Sequence, residues 1–258
     1  MQPHWKNPRV ITAAALIVGA LCAAVLTLVA HYLEWSVCHK IAKPMPLVVM
    51  IIVMFLFGRD SQCSKRRFFT IFVGLVFGAI GDEFLAFDGT AMFVAGLGSF
   101  TVGHLCYIAA YAHRPNGRKM LMRGIPIFCI AICYYAVIFQ GLAKQSIPLQ
   151  IACPLYIVIE GIVVLMVSSR PRGGCCAECH MVPTVGSILF MTSDALLAYG
   201  MFVMSFEPVE RALVMFTYWM GQLGLLWGIK DHACNCAKGT ALLDGDDDEI
   251  RAASVNRG

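Results

Sequence analysis

The chain has 258 residues, 59% hydrophobic and 14% charged, with a mean hydropathy of +0.71 and a formal net charge of +4. Soluble domains run at about 45–50% apolar and about 25% charged residues, so an ordinary soluble fold is excluded. The composition predicts an all-α protein, a polytopic transmembrane helical bundle, and no nucleic-acid partner.

The N-terminus, 1–9, reads "MQPHWKNPR", short and basic. The apolar run behind it is long enough to span and lacks a small-residue cleavage pattern, so it is expected to be a helix and not a removed signal peptide. With about 20 apolar residues per span, eight spans are expected, at roughly 10–33, 44–58, 68–87, 91–113, 121–142, 147–169, 182–204 and 209–230. Pro44 and Pro46 suit the start of the short second one. Together they make one transmembrane domain, 10–230. The polar tail, 231–258, ends in "DGDDDEIRAASVNRG" and is expected to be disordered.

Small residues recur at helical spacing: Gly74/Gly78, Gly96/Ser99/Gly103 and Gly221/Gly224/Gly228. These positions allow close helix packing. Of the 20 Lys and Arg, all but Lys40, Lys43, Lys144 and Arg211 fall on one side of the expected bundle. The positive-inside rule then puts both termini in the cytosol.

Several polar residues interrupt the spans. Asp82, in "GAIGDEFLAF", lies about fourteen residues into its span, which at about 1.5 Å per residue is past the midplane. Asp194, His104, Tyr107 and Glu160 lie near the middle of theirs, and Tyr218 and Gln222 in the inner part of the last. Lys43 stands at the outer start of the second. A carboxylate at such depth costs about 2.5–3.5 kcal/mol on insertion scales, which makes it a functional candidate by default. Asp82 follows Gly74 and Gly78 at four-residue intervals, on a face expected to meet another helix. Glu83 is turned about 100° away from it, near the span end.

No span carries a His-x-x-x-His or comparable zinc spacing, and no Gly-x-Ser-x-Gly marks a nucleophilic serine. What remains is metal-free acid–base chemistry by paired carboxylates, without a cofactor. Two carboxyl groups in one dry pocket divide the roles of acid and base. A proton-coupled transporter or a lipid-sensing protein would use the same parts. Transporters often show inverted repeats, and none is found in the sequence.

The ordered set "GLVFGAIGDEFLAF", "GLGSFTVGHLCYIAAY", "VGSILFMTSDALLAYGMF" and "TYWMGQLGLLWG" resembles the YhhN-type eight-span membrane family, whose animal members are lysoplasmalogenases. The resemblance runs from about 43 to 228 and includes Lys43-Pro44. The chain departs from it at Tyr199, where the family often has Asn. The resemblance implies hydrolysis of the vinyl-ether bond of lysoplasmenylcholine or lysoplasmenylethanolamine, in the endoplasmic reticulum membrane. The products would be a fatty aldehyde and a glycerophospho-base. Asp82 and Asp194 would be catalytic. His104, Tyr107, Tyr218, Gln222 and Glu160 would orient water or the acids, and Lys43 would hold the phosphate.

Six of the twelve cysteines, Cys22, Cys38, Cys106, Cys129, Cys133 and Cys153, lie in or beside apolar runs and are expected to behave as small hydrophobes. Cys175, Cys176, Cys179 and His180, with Cys234 and Cys236, sit on the cytosolic side of the expected topology. Zinc binding, palmitoylation and plain reduced thiols all fit these residues.

Overall fold

The computed structural model describes residues 43–58, 65–112, 117–170 and 177–229, together with the isolated positions Val25 and Val29. The rest of the first expected span, both termini, Cys22, Cys38, Cys175, Cys176, Cys234 and Cys236 lie outside the described residues. Among the described residues the protein is all-helical. Its seven helices are α1 (Met45–Gly58), α2 (Lys65–Phe84), α3 (Thr90–Tyr111), α4 (Gly117–Leu142), α5 (Ile147–Ser168), α6 (Ala177–Phe202) and α7 (Pro208–Trp227). They are the second to eighth of the expected spans, in order. Three of them, α3, α4 and α5, and the stretch His180–Phe202 of α6, are long and apolar enough to cross a membrane. The apolar part of α1, Met45–Leu56, is shorter. Basic residues open α2 and acids close it, and Glu210 and Arg211 lie in the first turn of α7.

Beside a largely apolar core, many large aliphatic side chains face outward and several polar ones face inward. Leu121, Met122, Ile132 and Val137 of α4 and Ile147 and Ile151 of α5 are exposed. Lys43, Asp82, His104, Glu160, Ser193 and Gln222 are buried. Polar groups at the centre and aliphatic groups at the rim are what a lipid surround requires.

The closest helix pairs are α2 with α3 and α6 with α7. The α6–α7 pair meets backbone to backbone, since a Cβ added to Gly186 would lie 2.6 Å from Gly224 Cα. The glycine stripes thus do what their spacing predicts. Ser193 Oγ donates to Val214 O at 2.9 Å across the same seam. Ser99 Oγ donates to Phe77 O at 2.7 Å between α3 and α2. At one end of the bundle Arg67 Nε donates to Ala110 O at 3.0 Å, and the Arg67 and Arg170 guanidiniums lie over the Tyr111 ring. Of the cysteine and histidine cluster, the described His180 ring approaches Arg170 O, Nε2 to O 3.2 Å.

Candidate active site

Two polar networks meet in the middle of the bundle. The first belongs to α2, α3 and α7. Tyr107 Oη donates to Gln222 Oε1 at 2.5 Å, and Gln222 Nε2 donates to Tyr218 Oη at 3.4 Å. The Tyr218 hydroxyl in turn stands beside the Asp82 carboxyl. Gly78, one turn before Asp82, makes the room: a Cβ there would fall 2.9 Å from Gln222 Nε2 and 3.3 Å from Tyr218 Oη. The glycine–aspartate spacing in α2 therefore serves this string. Lys43, just ahead of α1, bears electrostatically on Asp82. Burial pulls its ammonium below the usual lysine value, opposed by the carboxylates of Asp82 and Glu83.

The second network belongs to α3, α5 and α6. Tyr156 Oη donates to Asp194 Oδ2, and the Glu160 carboxyl stands beside that of Asp194, oxygen to oxygen within 4.8 Å. Tyr156 and Glu160 are four apart on α5, so they share a face. His104 Nδ1 lies 2.7 Å from Phe100 O. A carbonyl only accepts, so Nδ1 carries the hydrogen and Nε2 presents a bare lone pair. The donor atoms of His104, Glu160 and Asp194 all lie within 4.8 Å of one another. Among the described residues, His104 Nε2 and Glu160 Oε1 are buried without a hydrogen-bond partner. The His104 ring is held by Phe190 and Tyr156, with centroids 4.8 and 5.2 Å away.

These three donors are also what a divalent cation would use. Sequence spacing looked for such a set within one helix and found none; here it comes from three helices. Two carboxyl groups this close in an apolar setting share one proton when no cation stands between them.

A cavity of about 210 Å³ ends on this second network. Glu160, Asp194, Tyr156 and Tyr134 line its polar end, and Phe93, Ile138 and Cys153 its apolar wall. Ile130 of α4 and Thr192 of α6, both exposed, flank its side. A larger cavity of about 810 Å³ lies at the bundle end where α2 turns into α3. Lys43, Asp88, Thr90, Ser205 and Arg211 line it. Both cavities are bordered by Leu85, Phe93 and Leu197, so they adjoin. Asp82 borders neither.

All eight residues singled out from the sequence thus lie in or beside these networks. Glu160, first read as an orienting residue, is the immediate partner of Asp194. Asp82 stands in the adjoining string and senses Asp194 electrostatically. Tyr156, Tyr134 and Arg211 were not singled out; the four-residue step from Tyr156 to Glu160 was the available signal for the first.

The chain is 28% identical over 183 residues to "Lysoplasmalogenase TMEM86A" of Bos taurus, covering 70% of this chain and 73% of that protein. The Homo sapiens protein of the same name is 27% identical over the same shares. A "Lysoplasmalogenase" of Mycobacterium bovis is 29% identical over 144 residues, 52% of this chain and 51% of that one. No solved structure matches. The YhhN family model matches residues 38–229, which hold all seven described helices, and the chain belongs to the YhhN family.

Proposed function

We propose that this protein is an integral-membrane lysoplasmalogenase. It would hydrolyse the vinyl-ether bond of lysoplasmenylcholine or lysoplasmenylethanolamine to a fatty aldehyde and a glycerophospho-base. One observation carries the reading beyond the relatives' names: a small apolar cavity lined by the Glu160 and Asp194 carboxyls adjoins a larger one bearing Lys43 and Arg211. That suits a lipid with one chain and a phosphate. The reacting end of the chain lies in the small cavity, and the remainder passes between Ile130 and Thr192 into the surrounding lipid. The phosphate meets Lys43 and Arg211.

Cleavage of a vinyl ether begins with protonation of its β-carbon, which leaves an oxocarbenium ion. Water adds at the α-carbon, and the hemiacetal collapses. The site must supply an acid, a carboxylate beside the cation and a base for water. Asp194 acts at the bond. Asp82, the second aspartate, sets the charge balance through Tyr218 and Lys43, while His104, Tyr107 and Gln222 hold the arrangement. We place the protein in the endoplasmic reticulum membrane with eight spans and the Arg67/Arg170 end in the cytosol, following the positive-inside rule.

The test is aldehyde release from lysoplasmenylcholine by the purified full chain. Asp194→Asn is expected to abolish it and Asp82→Asn to lower it. Full activity in either variant removes that residue from the mechanism. A wild type inactive on every vinyl ether overturns the reading.

A further inference from the structure

We infer that Glu160 is the catalytic acid of this site and Asp194 its base, the two sharing one proton, with His104 Nε2 and Tyr156 holding that division. This rests on the reading above and goes beyond it, because that reading names neither the acid nor the base and gives Glu160 no part in the proton transfers.

Four observations carry it. A carboxyl oxygen of Glu160 lies within 4.8 Å of one of Asp194, and two carboxyl groups that close in a dry place do not both ionise, so one of them keeps a proton. Tyr156 donates its hydroxyl to Asp194, which favours the anion there and leaves the proton to Glu160. Glu160 Oε1 is buried with no hydrogen-bond partner among the described residues. A neutral acid tolerates that far better than an anion does. Finally, both carboxyls line the apolar cavity, where a vinyl ether would lie, and Asp82 does not. The bare Nε2 of His104, set by the Phe100 carbonyl, is the acceptor in this shell that can keep a water molecule beside the carboxyls.

The cycle closes in protons. Glu160 transfers its proton to the β-carbon, whose new C–H bond takes the π electron pair, and the α-carbon becomes the oxocarbenium centre between two carboxylates. Water forms a bond to the α-carbon while Asp194 takes its proton. Asp194 then protonates the ether oxygen as the C–O bond breaks. Glu160 removes the hemiacetal hydroxyl proton, and the aldehyde forms. Glu160 is again protonated and Asp194 ionised, with one water consumed and nothing oxidised or reduced.

The experiment uses the purified full chain in lipid nanodiscs. Glu160→Gln keeps the shape and a donor to Asp194 but cannot deliver a proton to carbon. It is expected to lower kcat by about 10²–10⁴-fold, the usual worth of a positioned acid. Its affinity for the saturated alkyl-ether analogue, which the site cannot cleave, stays within about threefold of wild type. Glu160→Asp is expected to recover part of the rate. Infrared spectroscopy of the wild type in H₂O and D₂O is expected to show a protonated carboxyl that Glu160→Gln loses; this readout needs no substrate. Wild-type activity with an unimpaired Glu160→Gln, or no such infrared band, overturns the assignment and leaves the proposed reaction standing. Activity abolished by chelators and restored by zinc also overturns it, by putting a cation where the proton is placed. A wild type that cleaves no vinyl ether but shows the band removes the reaction and keeps the proton pair.

Discussion

Tyr107 of α3 and Gln222 of α7 are joined by a 2.5 Å hydrogen bond across 115 positions of sequence. Both side chains are almost fully buried. This bond is the first link of the string that ends on Asp82. Tyr107→Phe leaves Gln222 Oε1 without its donor in a dry place, at a cost of about 1–3 kcal/mol. The variant is expected to unfold at lower temperature. Gln222→Leu in the same chain should cost less than the sum of the two single changes, since the orphaned acceptor is gone. Thermal melts of the three variants in detergent check this, and strict additivity would refute the link.

Tyr156→Phe removes the hydroxyl that Asp194 accepts. A hydrogen bond to a charged group is worth about 1.5–3 kcal/mol. The variant is expected to lose roughly 10–100-fold in kcat, with KM little changed, because Tyr156 holds the base and not the lipid. Steady-state kinetics on lysoplasmenylcholine decide it, and a KM effect alone would contradict it.

Lys43 and Arg211 both line the larger cavity, one ahead of α1 and one in the first turn of α7. Lys43→Met and Arg211→Met are expected to raise KM for the phospholipid. The double variant should raise it more than either single change. Neither should change the rate on a vinyl-ether glycerol that lacks the phosphate. A uniform loss on both substrates would show that Lys43 serves Asp82 instead.

Gly224→Val drives side-chain atoms into α6, since a Cβ at Gly224 already falls 3.0 Å from Val182 O. The helices must part, and with them the Ser193–Val214 bond beside Asp194. Loss of the monodisperse folded protein on gel filtration is expected. Gly98→Ala is the control, because nothing lies within 4 Å of a Cβ there.

Helices α3 to α6 were legible because each holds a run of apolar residues about as long as a bilayer is thick, and α1, α2 and α7 because shorter apolar runs lie between polar connections. The acids, His104 and Gln222 were legible because a polar group in such a run is rare. Which acid meets which was not. Asp82 and Asp194 look equivalent in sequence, and Glu160 looked less interesting than either. The rotation of α5 that turns Tyr156 and Glu160 together toward Asp194 depends on neighbouring helices, and no residue spacing encodes it. Tyr134 and Tyr156 resemble packing residues until their hydroxyls are seen to reach Ala195 O and Asp194. The tautomer of His104 likewise needed the position of one backbone carbonyl.

The two adjoining cavities give the proposed reaction a direction. Its substrate is amphiphilic, but its products are not alike: one is an oily aldehyde, the other a water-soluble phosphodiester. The small cavity is flanked by Ile130 and Thr192, both exposed on the outer face, and the large one lies at the bundle end. Each product therefore has an exit into the phase that dissolves it. Once parted, the two no longer meet at the site, and recombination falls with the dilution of each in its own solvent. The protein would then work as a sorter between oil and water, driven forward by partition as well as by the chemistry of the bond.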